Sequence, residues 1–169
     1  YNNISRDIVL HEQFKKDLYH SIKDRAENVM IVDLVRNDLT KHAITGSIQV
    51  EELFGIYSFP QVHQMVSTIS AQISEAVKVI DVIKDAFPMG SMTGAPKVMA
   101  MQLIEQYEVT KRGLFSGAFG YFTPDNDFDF NVVIRSIQYN AENQYLSIQT
   151  GGAIVYDSVP EQELAERYL

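Results

Sequence analysis

From Ser21 to Leu39 the chain reads SIKDRAENVMIVDLVRNDL, and the apolar residues Ala26, Val29, Met30, Leu34 and Val35 return at helical spacing. This stretch constrains the fold more than any other, because an uninterrupted amphipathic helix must find a surface for its apolar stripe. The same helix carries acid. Asp24 and Glu27 lie three apart, on one face and one turn from each other. Glu163 and Glu166 repeat that spacing near the other end of the chain. Two carboxylate pairs on two helices can converge on a hard divalent cation such as Mg²⁺, which prefers oxygen ligands. Surface helices also carry acids at this spacing routinely, and acids in a first turn complement the helix dipole, so spacing alone leaves both readings open.

Charge narrows the choice of partner. The net charge is −8, the pI is near 4.9 and no Lys/Arg-rich run occurs, which argues against a nucleic-acid backbone or an anionic membrane. Cysteine is absent, which removes disulfides, thiolate metal sites and Cys nucleophiles together and fits a reducing, cytoplasmic setting. Tyr1–Ile8 is polar and lacks a signal-peptide run, and no stretch reaches bilayer length. With 169 residues, 46% of them hydrophobic, the chain has the length for one domain with a substantial core.

The periodicity changes along the chain. Ile8–His20 is expected to form a helix leading into the acidic one. Ser47–Phe59 reads as a strand followed by a turn, and Val62–Ile73, rich in β-branched residues, as another strand. Ala76–Phe87 and Pro96–Tyr107 return to helical spacing, with Pro96 in the first turn of the second. Arg112–Phe122, Phe128–Tyr139 and Tyr145–Tyr156 are β-rich runs separated by the turn signals TPDND and NAEN, which predicts an antiparallel meander. A last helix is expected from a capping box of Ser158 and Glu161, with Pro160 in its first turn. Helices first and a meander later indicate an α+β fold.

Other stretches suggest chemistry. In Pro88–Lys97, PMGSMTGAPK, Gly90 and Gly94 allow close backbone approach, Ser91 and Thr93 bring hydroxyls, and the following helix presents free N–H groups. The spacing is not that of a phosphate-binding P-loop, and taken alone the stretch is better read as a plain helix-entry loop with glycines for tight turns. Thr150–Ala153 places adjacent glycines at the end of a strand, where a bulge or a ligand lying against the backbone is the usual reason. Arg135 sits between Ile134 and Ile137, which are expected to be buried. A buried Arg needs a carboxylate, either from a ligand or from the protein. His63 is expected to be a satisfied strand histidine.

Taken in order, KDRAENVMIVDLVRNDL, PMGSMTGAPKVMAMQLIEQYE, RGLFSGAFGYF, FNVVIRSI and GGAIVYDSVPEQELAE resemble the motifs of chorismate-utilising enzymes. The resemblance runs from about Ser21 to the C-terminus. It is strongest to the component I enzymes of the aminodeoxychorismate (para-aminobenzoate) branch, with the anthranilate branch close behind. It implies antiparallel sheets packed together with helices outside. It further implies Mg²⁺-dependent amination of chorismate to 4-amino-4-deoxychorismate, with ammonia from a glutamine amidotransferase subunit.

Position by position, Glu27 and Glu166 match the family's Mg²⁺ ligands, and Asp24 and Glu163 match acids that support the metal shell. Arg135 matches the arginine that grips a substrate carboxylate. Gly151, Gly152 and Ala153 match the glycine turn that cradles that carboxylate, although the usual order is Gly-Ala-Gly. Thr93 matches the motif lining the ring site. Gln64 stands where a His is common, a His associated with the enzymes that eliminate pyruvate. Its replacement fits an enzyme that stops at the amino-chorismate. Phe115 replaces a frequent Tyr.

The chain begins with Tyr1 rather than Met and is expected to be the C-terminal part of a single chorismate-binding catalytic domain, covering residues 1–169. The family's P-I-K/A-G-T motif, whose Lys is the ring nucleophile, and its general acid would precede Tyr1, and a further Lys would follow Leu169. The parent is then an enzyme and the 169-residue chain inactive by itself. A sheet cut in this way leaves unpaired edges, so a homodimer is one expected outcome. The rivals are an anthranilate synthase component I and a non-catalytic chorismate-binding-like module.

Overall fold

A computed structural model describes residues 8–60, 62–156 and 158–166, with Ile8, Val9 and Glu166 described in their backbone only. Helix α1 (Ile8–His20) leads into α2 (Ile22–Thr40). Ser21 caps α2, its hydroxyl accepting the Asp24 N–H at 3.3 Å. Asp24 thus sits in the first turn, where a carboxylate complements the exposed N–H dipoles.

Strands β1 (Gln49–Ser58) and β2 (His63–Ser70) form an antiparallel pair with Ile56 opposite Met65 and Tyr57 opposite Gln64. The ladder slips between Glu52 and Gly55, where Phe54 adopts φ +61. Ser67 secures the irregularity by accepting the Phe54 N–H at 3.1 Å and donating to Asn28 Oδ1 of α2 at 2.5 Å. Arg25 of α2 lies 4.4 Å above the Phe54 ring. Helix α1 docks on the same sheet face through His11, whose ring centroid is 4.2 Å from that of His63.

Helix α3 (Val79–Ala86), a short 3₁₀ turn (Gly90–Met92) and α4 (Lys97–Tyr107) follow. Pro96 is the N-cap residue of α4 rather than a member of its first turn, with ψ 136 still extended. Beyond α4, β3 (Ala118–Phe122) pairs with β4 (Phe128–Val132), and β5 (Ile137–Asn140) with β6 (Tyr145–Ile148). The turn residues TPDND close the first hairpin, Thr123 Oγ1 accepting the Asp127 N–H at 3.1 Å.

The expected continuous meander is broken. Arg135 takes φ +51, a left-handed conformation that turns the chain and ends the ladder between Val132 and Ile137. The described strands therefore form three two-stranded sheets within an α+β fold. Helix α5 (Pro160–Glu166) is present, but Ser158 does not act as its cap: its hydroxyl accepts the Val155 N–H at 3.0 Å.

The expected substantial core is also absent from the described residues. Val32 is buried, and the other deeply buried side chains, Asp38, Ser116 and Glu163, are polar. Helices α1 and α2 cover the β1–β2 pair, but among the described residues no helix packs substantially on the two later hairpins, and Phe119 and Ile137 remain 75% and 68% exposed. The α2 stripe shares this fate. Val29 is 41% exposed, and with Met30, Leu34, Phe54 and Ala95 it lines an open groove of about 750 Å³.

The α1 contact is pH-sensitive. Burial, then the nearby His11 and Lys15, hold the His63 imidazole below its ordinary pKa. The folded state therefore disfavours the proton. Its stability is full above the ordinary imidazole value and is lost as pH falls from there through the depressed value. A proton-NMR titration should place the His63 midpoint below that of a free imidazole, and His11→Gln should raise it.

Candidate functional site

The two acidic helices meet at a lysine. Lys23 of α2 places its ammonium 2.5 Å from Glu163 Oε1 of α5 and 3.7 Å from Glu27 Oε1 one turn along its own helix. Glu163 is only 3% exposed, and a carboxylate buried to that extent needs a compensating cation. Across from it, a Cβ added to Gly152 would lie 3.6 Å from Glu163 Oε2. Two of the four predicted acids, Glu27 and Glu163, are thus brought around one point. Asp24 belongs to the α2 first turn, and the side chain of Glu166 lies outside the described residues. Among the described residues no three His, Cys, Asp or Glu side chains gather in metal-binding proximity. What is gathered still suits Mg²⁺ in kind: carboxylate oxygens facing a position already held by a cationic group.

The expected carboxylate grip is open. Arg135 is not buried but exposed, on the bend that its own positive φ creates, and Ile134 and Ile137 beside it are 41% and 68% exposed. Among the described residues none accepts a hydrogen bond from its guanidinium. The β6 strand stops at Ile148, so Gly151, Gly152 and Ala153 form an exposed irregular segment rather than a strand end. Gly152 brings that segment beside Glu163.

The loop Pro88–Lys97 is held from three sides. Gly90 is buried because a Cβ there would come within 2.8 Å of Leu34 Cβ, so this glycine allows close approach to α2 rather than to a ligand. Thr93 Oγ1 donates to the carbonyls of Met89 and Gly90 at 3.2 and 3.3 Å. Lys97 donates to Asp38 Oδ2 at 2.5 Å and to the Ala86 carbonyl at 3.3 Å. Arg112 donates to the Met92 carbonyl at 2.6 Å while gripping Glu108 with two further N–H groups. That hydrogen bonding raises the Arg112 pKa and holds the Glu108 carboxyl below its ordinary value.

Gln64 lies in β2 opposite Tyr57. The neighbouring residues His63 and Ser67 face α1 and α2, so strand alternation puts Gln64 on the other side of the sheet. His63 is only half the satisfied strand histidine expected: Nδ1 lies 3.0 Å from Ser58 Oγ, whereas the buried Nε2 has no hydrogen-bond partner among the described residues.

Sequence reasoning passed over Lys23, Asp38, Lys97 and Arg112. The signal for Asp38 was present: Met30, Leu34 and Asp38 are successive i,i+4 positions, so an acid sits on the apolar stripe. Without Lys97, the buried Asp38 keeps only a weaker partner among the described residues, the more exposed Lys41 ammonium at 3.8 Å. Lys97→Met should cost about 3 kcal/mol in urea unfolding, and adding Asp38→Leu should recover much of it. A methyl at Gly90 should cost about 1–3 kcal/mol by the same measurement, through overpacking against Leu34.

A family model described as chorismate binding enzyme matches residues 4–169. The chain is 45% identical over 151 residues to aminodeoxychorismate synthase component 1 of Escherichia coli (strain K12), a match covering 89% of this chain and 33% of that protein. It is 46% identical over 158 residues to a probable chloroplastic aminodeoxychorismate synthase of Oryza sativa subsp. japonica, covering 94% of this chain and 17% of that one. The crystal structure of anthranilate synthase component I from Streptococcus pneumoniae TIGR4 superposes with a TM-score of 0.83 at 33% identity, over 95% of this chain and 36% of the other. The chain thus spans about a third or less of the length of these relatives.

Proposed function

The chain belongs to the chorismate binding enzyme family, and on that premise we propose that the protein it represents aminates chorismate to 4-amino-4-deoxychorismate. Ammonia would come from a glutamine amidotransferase subunit, and Mg²⁺ would assist the reaction. The observation that carries this reading is the convergence of Glu27 and Glu163 from opposite ends of the chain beside Gly152. The names of the relatives support the aminodeoxychorismate branch.

Glu27 and Glu163 would hold the cation, with Glu166 and Asp24 as the other candidate acids. A bound Mg²⁺ would supply positive charge to a substrate carboxylate and polarise the ring substituents. The remaining work falls to this chain's own groups. Gly151 and Gly152 leave room for a carboxylate beside Glu163. Arg135 carries an exposed guanidinium suited to bidentate binding of a carboxylate. The braced loop around Thr93 would offer a fixed wall for the ring. On this reading turnover belongs to a protein of the relatives' length, and the 169-residue chain turns over no chorismate alone.

A second reading, an anthranilate synthase component I, is favoured by one observation, the 33% identity to the Streptococcus pneumoniae structure. The two readings share their ligands and differ in product. With the full-length protein, glutamine amidotransferase and Mg²⁺, the expected product is 4-amino-4-deoxychorismate, and anthranilate with pyruvate would select the second reading. For the chain itself, calorimetry should show chorismate binding that requires Mg²⁺ and weakens at least about tenfold in Glu27→Gln. Binding indifferent to both would remove Glu27 from the site and favour a non-catalytic module.

A further inference from the structure

We propose that Lys23 is an internal placeholder that occupies the cation position between Glu27 and Glu163 and must leave when a divalent ion enters. The inference rests on the reading of these two carboxylates as metal ligands and adds a residue that this reading does not use.

The geometry is that of a bound cation. The Lys23 ammonium is 2.5 Å from a Glu163 oxygen and 3.7 Å from a Glu27 oxygen, so it lies where a cation shared by the two carboxylates would lie. Together the two carboxylates carry two negative charges, and one ammonium leaves an excess of one. A divalent ion neutralises both. The ammonium and a divalent ion cannot share the position, because two cationic centres would face each other at contact distance beside a buried carboxylate.

Lys23 is also built to move. Its side chain is 35% exposed, and its flexible four-carbon stem can carry the ammonium outward along the surface of α2. Glu163, at 3% exposure, cannot follow it into solvent. Exchange of cations at a fixed carboxylate therefore requires motion of the lysine. The placeholder also explains how an acidic site assembled from segments 140 residues apart holds together before any ion arrives.

Such a competitor weakens apparent metal affinity by the fraction of time it fills the site. Lys23→Met should tighten Mg²⁺ binding to the chain by about tenfold or more in calorimetric titration, with circular dichroism confirming the fold. Equal or weaker binding in the variant, with the original chain still binding Mg²⁺, overturns the placeholder and leaves the metal reading intact. Absence of Mg²⁺ binding in both chains overturns the metal reading and the placeholder with it. If Lys23→Met does not fold, trace acetylation of the unaltered chain decides. Mg²⁺ should raise the Lys23 labelling rate several-fold relative to Lys15 and Lys16, and an unchanged rate overturns the proposal.

Discussion

A buried carboxylate needs a cation, and this requirement organises the molecule. Among the described residues, Asp38 and Glu163 are the buried acids, at 7% and 3% exposure. Helix α2 contributes one member to each of the pairs that satisfy them: Lys23 near its start reaches Glu163 of α5, and Asp38 near its end receives Lys97 of α4. With little apolar burial among the described residues, these two pairs are what tie the distant segments to the central helix. The acid of each pair is shielded from water while its lysine is more exposed, and desolvation makes the carboxylate costly to leave alone.

The same requirement accounts for the order of the loop that follows α3. Lys97 is drawn to Asp38, Gly90 is pressed against Leu34, and Arg112 holds the Met92 carbonyl while Glu108 fixes its guanidinium. The Thr93 hydroxyl is consumed within this frame by two carbonyls of its own turn. A ligand at this loop would meet a preorganised wall, which lowers the ordering cost of binding.

The helices were legible from local signals such as the periodicity over Ser21–Leu39 and Pro88 after α3. The hairpin turns were legible from TPDND and NAEN. The break at Arg135 was not, because a positive φ at a non-glycine residue in an apolar, β-branched run has no sequence signature. The same conformation explains why Arg135 is exposed rather than buried. The acid pairs were recognised by spacing and by resemblance, yet the lysine between them was overlooked. Spacing rules compare like residues, whereas Lys23 is placed by its i,i+4 relation to Glu27 and by a contact with Glu163 that only the fold creates.

The charge balance at this site bears on how an acidic chain of net charge −8 could bind a dianionic substrate. With the ammonium in place, Lys23 offsets one of the two charges that Glu27 and Glu163 bring beside Gly152. A divalent ion in its stead would, on the proposed reading, neutralise the two glutamates, and the displaced ammonium would be free to donate at the rim. On the proposed reading, cation exchange and substrate binding are therefore linked: a substrate carboxylate binds the ion-filled state better and shifts the exchange toward it. The lysine then sets a threshold, keeping the buried acids paired when no divalent ion is present and yielding when both ion and substrate favour the exchange.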